Sequence, residues 1–355
     1  MKTEPILDVR DLEVAFATDE GVVQAVDGAT LQLRAGEILA VVGESGCGKS
    51  VTAMTLLGLT RSPNARFSGT AFYKGTELIG ASEAELRTIR GAEIAMIFQD
   101  PMSSLNPVMR IGEQIIEQIQ AHEDVPKAAA RERTIELLER VGIPRARERV
   151  DHYPFEFSGG MRQRVMIAMA LSCDPSILIA DEPTTALDVT IQAQILERFR
   201  ELRADTNAAL ILVTHDLGVV ADIADRVAVM YAGRIVEQGT LEEIFYDPQH
   251  PYTWGLLGAI MRLDRPRRER LPTIPGLPPS LANRPAGCHL RPRCPHEHDA
   301  CRKVPALEAR VPGAPGHLDR CWLPLEAKRK LREVEPGEIG LAAKQRPAEP
   351  AGDAA

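Results

Sequence analysis

Residues Gly43-Glu44-Ser45-Gly46-Cys47-Gly48-Lys49-Ser50 set a lysine and a hydroxyl directly behind a glycine-rich turn. Glycines at this spacing let backbone N–H groups converge on a polyphosphate, and a helix starting at the lysine adds positive potential. Lys49 would reach the β- and γ-phosphates, and the Ser50 hydroxyl would ligate Mg²⁺. With Val51 in the first helical turn, the stretch reads as a Walker A phosphate-binding loop. A second cluster lies in Ser176-Ile177-Leu178-Ile179-Ala180-Asp181-Glu182-Pro183, an apolar run closed by two carboxylates. That is a Walker B pattern: Asp181 is placed to hold Mg²⁺ through water, and Glu182 to polarise an attacking water.

Such groups work only if something holds them together. Gly36 to Val42 is a short buried-strand pattern feeding the glycine turn, and the helical run after it reaches about Leu59. Apolar strands ending at Val42, Ala180 and Val213 suit a parallel sheet covered on both faces. Alternating segments from Ile6 to Leu33 predict an antiparallel β layer beside it, and residues 85–165 predict a charged, helix-rich arm. From Ile191 to Leu202, apolar residues recur at helical spacing, giving an amphipathic helix for the sheet.

Between the two phosphate motifs lies Phe157-Ser158-Gly159-Gly160-Met161-Arg162-Gln163, opening an apolar helix. Ser158 alone would be an ordinary helix N-cap. The whole stretch resembles the signature loop Leu-Ser-Gly-Gly-Gln of the ATP-binding subunits of ABC transporters, with Met161 where glutamine is usual. Over residues 5–260 that resemblance implies an α/β P-loop NTPase of the ABC type. Its parts are a mostly parallel core sheet, a flanking antiparallel β layer and a helical signature subdomain. It also implies roles. Residues 43–51 (Gly43, Glu44, Ser45, Gly46, Cys47, Gly48, Lys49, Ser50 and Val51) bind ATP. Gln99 matches the Q-loop glutamine that links Mg²⁺ and the water to the transporter interface, Asp188 the D-loop, and His215 the switch histidine that contacts the γ-phosphate. Phe16 matches the aromatic that stacks on adenine, although it could equally be a strand core residue. Ser158, Gly159, Gly160 and Met161 would complete the site in trans, on the ATP held by a partner ATPase.

Two later segments narrow the class. Asp100-Pro101-Met102-Ser103-Ser104-Leu105-Asn106-Pro107 looks like the peptide and nickel importer branch. His250-Pro251-Tyr252-Thr253-Trp254 and Leu271-Pro272-Thr273-Ile274-Pro275-Gly276-Leu277-Pro278-Pro279 resemble the C-terminal extension of oligopeptide and dipeptide importer ATPases, here residues 261–325. The implied partners are a second, related ATPase, two membrane permeases and an extracytoplasmic substrate-binding protein. Nickel and glutathione importers share these motifs. Repair ATPases would need a long coiled-coil insertion between Ser50 and Ser158, translation ATPases a second cassette, and a P-loop kinase no signature loop.

Composition agrees with a cytoplasmic engine rather than a pore. No apolar stretch approaches the ~20 residues that span a bilayer. The start, Met1-Lys2-Thr3-Glu4-Pro5, carries no apolar signal segment, and a net charge of −8 gives no broadly basic surface for nucleic acid. The expected place is therefore the cytoplasmic face of the membrane. Residues 328–355, rich in Ala, Pro, Glu and Lys, predict a disordered tail.

Six cysteines complete the list of reactive groups. Cys47 and Cys173 read as small loop and core residues. Cys288, Cys294, Cys301 and Cys321 cluster in a Pro/Arg/His-rich region with little core, where a metal staple would help folding. Their spacing, C-x5-C-x6-C-x19-C, lacks the close pairs that zinc usually takes. Some peptide-importer ATPases with this extension carry a [4Fe-4S] cluster on four such cysteines, so the resemblance implies that cluster. Zinc, with His289, His296, His298 or His317 as alternate ligands, and free thiols remain the other readings. Nothing in the order of the chain puts these cysteines near the ATP motifs.

Overall fold

The computed structural model describes residues 4–19, 21–100, 104–184, 189–259 and 274–332. Strands β1 (Leu7–Thr18) and β2 (Gly21–Leu33) form a long hairpin, and β3 (Ile38–Val42) leads into the phosphate loop. Strands β4 (Ala65–Tyr73) and β5 (Thr76–Glu77) rejoin the hairpin as an antiparallel layer of order β2-β1-β4-β5. Val9, Leu12 and Val14 of β1 are buried against the core sheet while Arg10, Asp11 and Glu13 face out, the alternation expected of a one-sided sheet.

The core sheet adds β6 (Ile94–Ile97), β7 (Ile177–Asp181), β8 (Ala209–Thr214), β9 (Arg226–Tyr231), β10 (Arg234–Thr240), β11 (Glu308–Ala309) and β12 (Leu318–Asp319). Its order is β11-β12-β10-β9-β3-β8-β7-β6. The β3–β8, β3–β9, β6–β7 and β7–β8 pairs are parallel, and the pairs from β9 outward to β11 are antiparallel. All of β3 is buried. Ile38, Ala40 and Val42 pack into one apolar cluster and Leu39 and Val41 into the other, so the sheet is covered on both faces. Because β3, β7 and β8 run parallel, the loops that leave them open along one edge. That edge is where the chemistry must sit.

Three features differ from the sequence expectations. Residues 94–97, inside the range assigned to the helical arm, form the outer parallel strand β6 against β7. A four-residue apolar run is too short for periodicity to separate strand from helix. The arm itself is the helices Ile111–His122, Lys127–Arg140, Ala146–Arg149 and Gly159–Ala170. The helix after the phosphate loop stops at Leu56 rather than near Leu59. The tail expected from residue 328 instead begins as the helix Leu325–Leu331, whose Lys328 is fully buried with its Nζ 2.6 Å from Asp319. Residues 333–355 lie outside the described residues.

The extension is sewn into the core sheet. Strand β12 pairs with β10, setting Asp319 opposite Glu237. Glu237, with no exposure, accepts hydrogen bonds from the backbone N–H groups of Gln249 (2.5 Å) and His250 (2.9 Å) and lies 2.8 Å from His317 Nε2. Burial opposes charging His317, but the Glu237 hydrogen bond and charge outweigh it and raise its pKa. A carboxylate this deep is tolerable because two backbone donors and His317 meet it. No helix among the described residues is long and apolar enough to cross a membrane.

Candidate nucleotide-binding site

The loop after β3 wraps around its own lysine. Lys49 is 5% exposed, and its Nζ donates to the carbonyls of Gly43 (2.8 Å) and Glu44 (3.0 Å). The helix Lys49–Leu56 begins at Gly48 with no side-chain cap, leaving its first N–H groups for an incoming anion. Two glycines are required by close approach. A Cβ on Gly43 would collide with the Met230 carbonyl at the end of β9, and one on Gly48 with the Ala25 carbonyl of β2. Gly48 also has φ +106°. The cradle is thus shaped by three strands, not by the motif alone.

Asp181, the last residue of β7, stands across from this loop. Its carboxylate accepts a 2.9 Å hydrogen bond from the Ser50 hydroxyl. Burial raises the Asp181 pKa, the Ser50 bond opposes that, and the charge of Glu182 adds to it. A desolvated carboxylate beside a second carboxylate and a hydroxyl is an oxygen donor set that a hard divalent cation would relieve. Mg²⁺ therefore fits the residues present.

Glu182 is the hub of the site. It is 9% exposed, Gln99 Nε2 donates to its Oε2 at 3.1 Å, and His215 Nδ1 lies 3.2 Å from its Oε1. Its backbone has φ +47°, a left-handed conformation that a non-glycine residue adopts only under constraint. The Glu182 N–H donates to the Val213 carbonyl at 2.8 Å, so the end of β8 fixes the strained turn. Three residues from the ends of β6, β7 and β8, 83 and 33 positions apart, are thereby brought together.

The other sequence candidates are dispersed. Ser158 and Gly159 are exposed, with open space where a Gly159 Cβ would lie. Ser158 does cap its helix, accepting a 3.4 Å hydrogen bond from the Met161 N–H. The Met161 side chain is partly buried against the apolar core, with its Sδ 3.1 Å from Arg149 Nη1. Phe16 is half-buried on β1 against the β-layer core. Asp188 and residues 101–103 lie outside the described residues. Sequence reasoning missed Gln163, which is 3% exposed and donates 2.9 Å to the Pro183 carbonyl, tying the signature helix to the Glu182 turn. It also missed Tyr252 and Arg293, which reach the phosphate loop at Glu44 from 208 and 249 positions away.

The four C-terminal cysteines, together with His296 and His298, line a single pocket. Cys301 Sγ is 3.5 Å from His298 Nδ1. His289 faces the Ala232 carbonyl and Asp27, and His317 faces Glu237, so neither shares that pocket. Burial lifts the Cys294 thiol to about 11 and Cys321 to about 12. No three His, Cys, Asp or Glu among the described residues converge tightly enough to hold a single metal ion.

With this geometry in hand, similarity to other proteins adds the family. The ABC transporter family model matches residues 26–185, and the oligopeptide/dipeptide transporter C-terminal region matches residues 236–301. The oligopeptide transport ATP-binding protein OppD of Salmonella typhimurium is 54% identical over 321 residues, covering 90% of this chain and 94% of that protein. The dipeptide transport ATP-binding protein DppD of Bacillus subtilis is 52% identical over 322 residues, covering 90% and 95%. Among solved structures, a subunit of an ABC transporter complex from Clostridium perfringens aligns with a TM-score of 0.58 at 28% identity, covering 68% of this chain and 91% of that chain. A dimeric bacterial ABC transporter cassette aligns with a TM-score of 0.60 at 25% identity, covering 66% and 98%. The phosphate cradle, the carboxylate pair behind it and the matched extension make one continuous argument: this chain belongs to the ABC transporter ATP-binding family, in its oligopeptide/dipeptide branch.

Proposed function

We propose that this chain hydrolyses ATP to power uptake of di- and oligopeptides. It would act at the cytoplasmic face of the membrane, paired with a related ATPase beneath two permeases that receive cargo from a binding protein. The observation that carries the peptide reading is the 54% identity to an oligopeptide transport ATP-binding protein along nearly its whole length, extension included. Residues 43–51 would bind the phosphates, Phe16 would stack on adenine, and Ser50, Asp181 and Gln99 would hold Mg²⁺, which neutralises charge developing on the phosphates. Glu182 takes a proton from the attacking water, with Gln99 and His215 orienting the carboxylate. The exposure of Ser158 and Gly159 supports their closing onto a partner's ATP, with Asp188 crossing between the subunits. Reconstituted with its permeases and binding protein in proteoliposomes, the chain is expected to drive ATP-dependent uptake of a labelled tripeptide. Uptake of nickel or glutathione with no peptide uptake would overturn this reading.

We further propose that Cys288, Cys294, Cys301 and Cys321 hold a [4Fe-4S] cluster. The support is that all four thiols line one pocket, as the likeness to cluster-bearing relatives implies. In such a cluster each thiolate binds its own iron, and the C-x5-C-x6-C-x19-C spacing lacks the close pairs that zinc usually takes. When bound, the cluster would be a structural tie between Cys321 and the three earlier cysteines. Anaerobically purified chain should contain about four irons with matching sulfide, as four thiolates imply. Cys294→Ser should lose them and leave the 287–322 region protease-sensitive. One zinc per chain, or no metal at all, would refute the cluster.

A further inference from the structure

We propose that Arg293, together with Tyr252, is a positioning residue for the phosphate-binding loop, so that the C-terminal extension sets the nucleotide affinity of the ATPase core. Position 44 is unspecified in the Walker A pattern, yet here it is held twice. Arg293 Nη1 donates to Glu44 Oε2 at 2.7 Å and Nη2 to Oε1 at 3.0 Å, a two-pronged, charge-assisted contact. The Tyr252 hydroxyl accepts from the Glu44 N–H at 2.8 Å. On its other side, the Glu44 carbonyl receives the Lys49 ammonium at 3.0 Å. The residue gripped by the extension is therefore one of the two that orient the phosphate-binding lysine.

The grip is built rather than incidental. The Arg293 side chain is only 5% exposed, and its Nε donates to the Pro275 carbonyl at 2.8 Å. Nη1 also reaches the Tyr231 hydroxyl at 3.3 Å. Tyr231 and Tyr252 are both fully buried and touch ring to ring, with centroids 4.5 Å apart. Arg293 is thus anchored to the extension on one side and to the end of β9 on another, with its fork aimed at the loop.

Two consequences follow from charge and entropy. A loop held in its anion-binding shape before the nucleotide arrives need not be ordered on binding. In addition, Arg293 neutralises a carboxylate that would otherwise repel the phosphates from within their own cradle. Removing the arginine loosens the loop and exposes that charge, so nucleotide affinity falls while the hydrolytic step at Glu182, on a different strand, keeps its rate at saturation.

The test is a calorimetric titration of the purified full-length chain with Mg-ADP. Arg293→Ala is expected to raise Kd about tenfold, a 1.4 kcal/mol change. Adding Glu44→Gln to Arg293→Ala should then restore part of the lost affinity by removing the unpaired charge. Such recovery cannot come from a residue that merely fastens the extension. Arg329→Ala, which cuts the 2.6 Å pair between the last helix and Asp247, should leave Kd unchanged. In the assembled transporter, Arg293→Ala should raise KM for ATP with little change in kcat. If Arg293→Ala does not fold, Arg293→Lys, which keeps the charge but loses the fork, takes its place with an expected Kd increase of about threefold. Unchanged affinity in the folded arginine variant, a double variant no better than the single one, or an equal loss from Arg329→Ala would each overturn the proposal.

Discussion

Glu182→Gln is expected to lower ATP turnover by at least ~100-fold, the scale of lost general-base assistance, while nucleotide binding persists. The reason is geometric. The amide keeps the shape of Glu182 and can still meet Gln99 and His215, which lie 3.1 and 3.2 Å from the carboxylate, but it cannot accept the water's proton. The ATP-bound form should therefore accumulate as a closed dimer, readable by gel filtration with ATP. Lys49→Ala behaves in the opposite manner. It removes the ammonium now resting on the Gly43 and Glu44 carbonyls, so binding itself should be lost and no closed dimer should form. Near-normal turnover by Glu182→Gln in the assembled transporter would remove Glu182 from its role as base.

Lys328→Met is expected to open the C-terminal region around strand β12. Lys328 and Asp319 are 0% and 1% exposed and 2.6 Å apart, so deleting the cation strands a buried carboxylate. Breaking such a pair costs about 3–5 kcal/mol, and the low end applies because Arg310 Nη1 still lies 3.2 Å from Asp319. Burial already raises the Asp319 pKa, with Lys328 the main opposing influence. Without the lysine, the carboxyl protonates more readily, so the loss shrinks as pH falls and the stranded charge disappears. Amide hydrogen exchange along β12 should report the opening at pH 7.5 and a smaller effect near pH 5. Protection that is unchanged at both pH values would mean that water reaches Asp319 and the pair carries little.

Much of the nucleotide site was legible in the chain. Gly43 to Ser50 and Ser176 to Pro183 announce themselves because phosphate binding needs contiguous backbone N–H groups, and Mg²⁺ needs oxygens at a strand end. The buried strands β3, β7 and β8 were visible as apolar runs of five or six residues. Strand β6 was not. Its four residues could belong to a helix or a strand until β7 pairs with them. The ordered start of the last helix was hidden for a related reason: Lys328 reads as a solvated charge unless Asp319 is known to wait beneath it.

The sequence by itself determined the family and supplied the candidate groups: a P-loop, two carboxylates, a glutamine, a histidine, and a family likeness strong enough to order them. Contiguous motifs survive in one dimension because their parts must be neighbours along the chain. Tertiary structure alone decided what converges across distance. It set the left-handed turn at Glu182, which Val213 holds from 31 positions beyond. It brought Gln163 to Pro183, gathered four widely spaced thiols around one pocket, and laid Arg293 and Tyr252 on Glu44. No local pattern marks such pairs, because an arginine before a cysteine and a glutamate after a glycine are each unremarkable until the sheet folds. Burial then gives the contact its strength, removing water from around a charge that would be screened on an open surface.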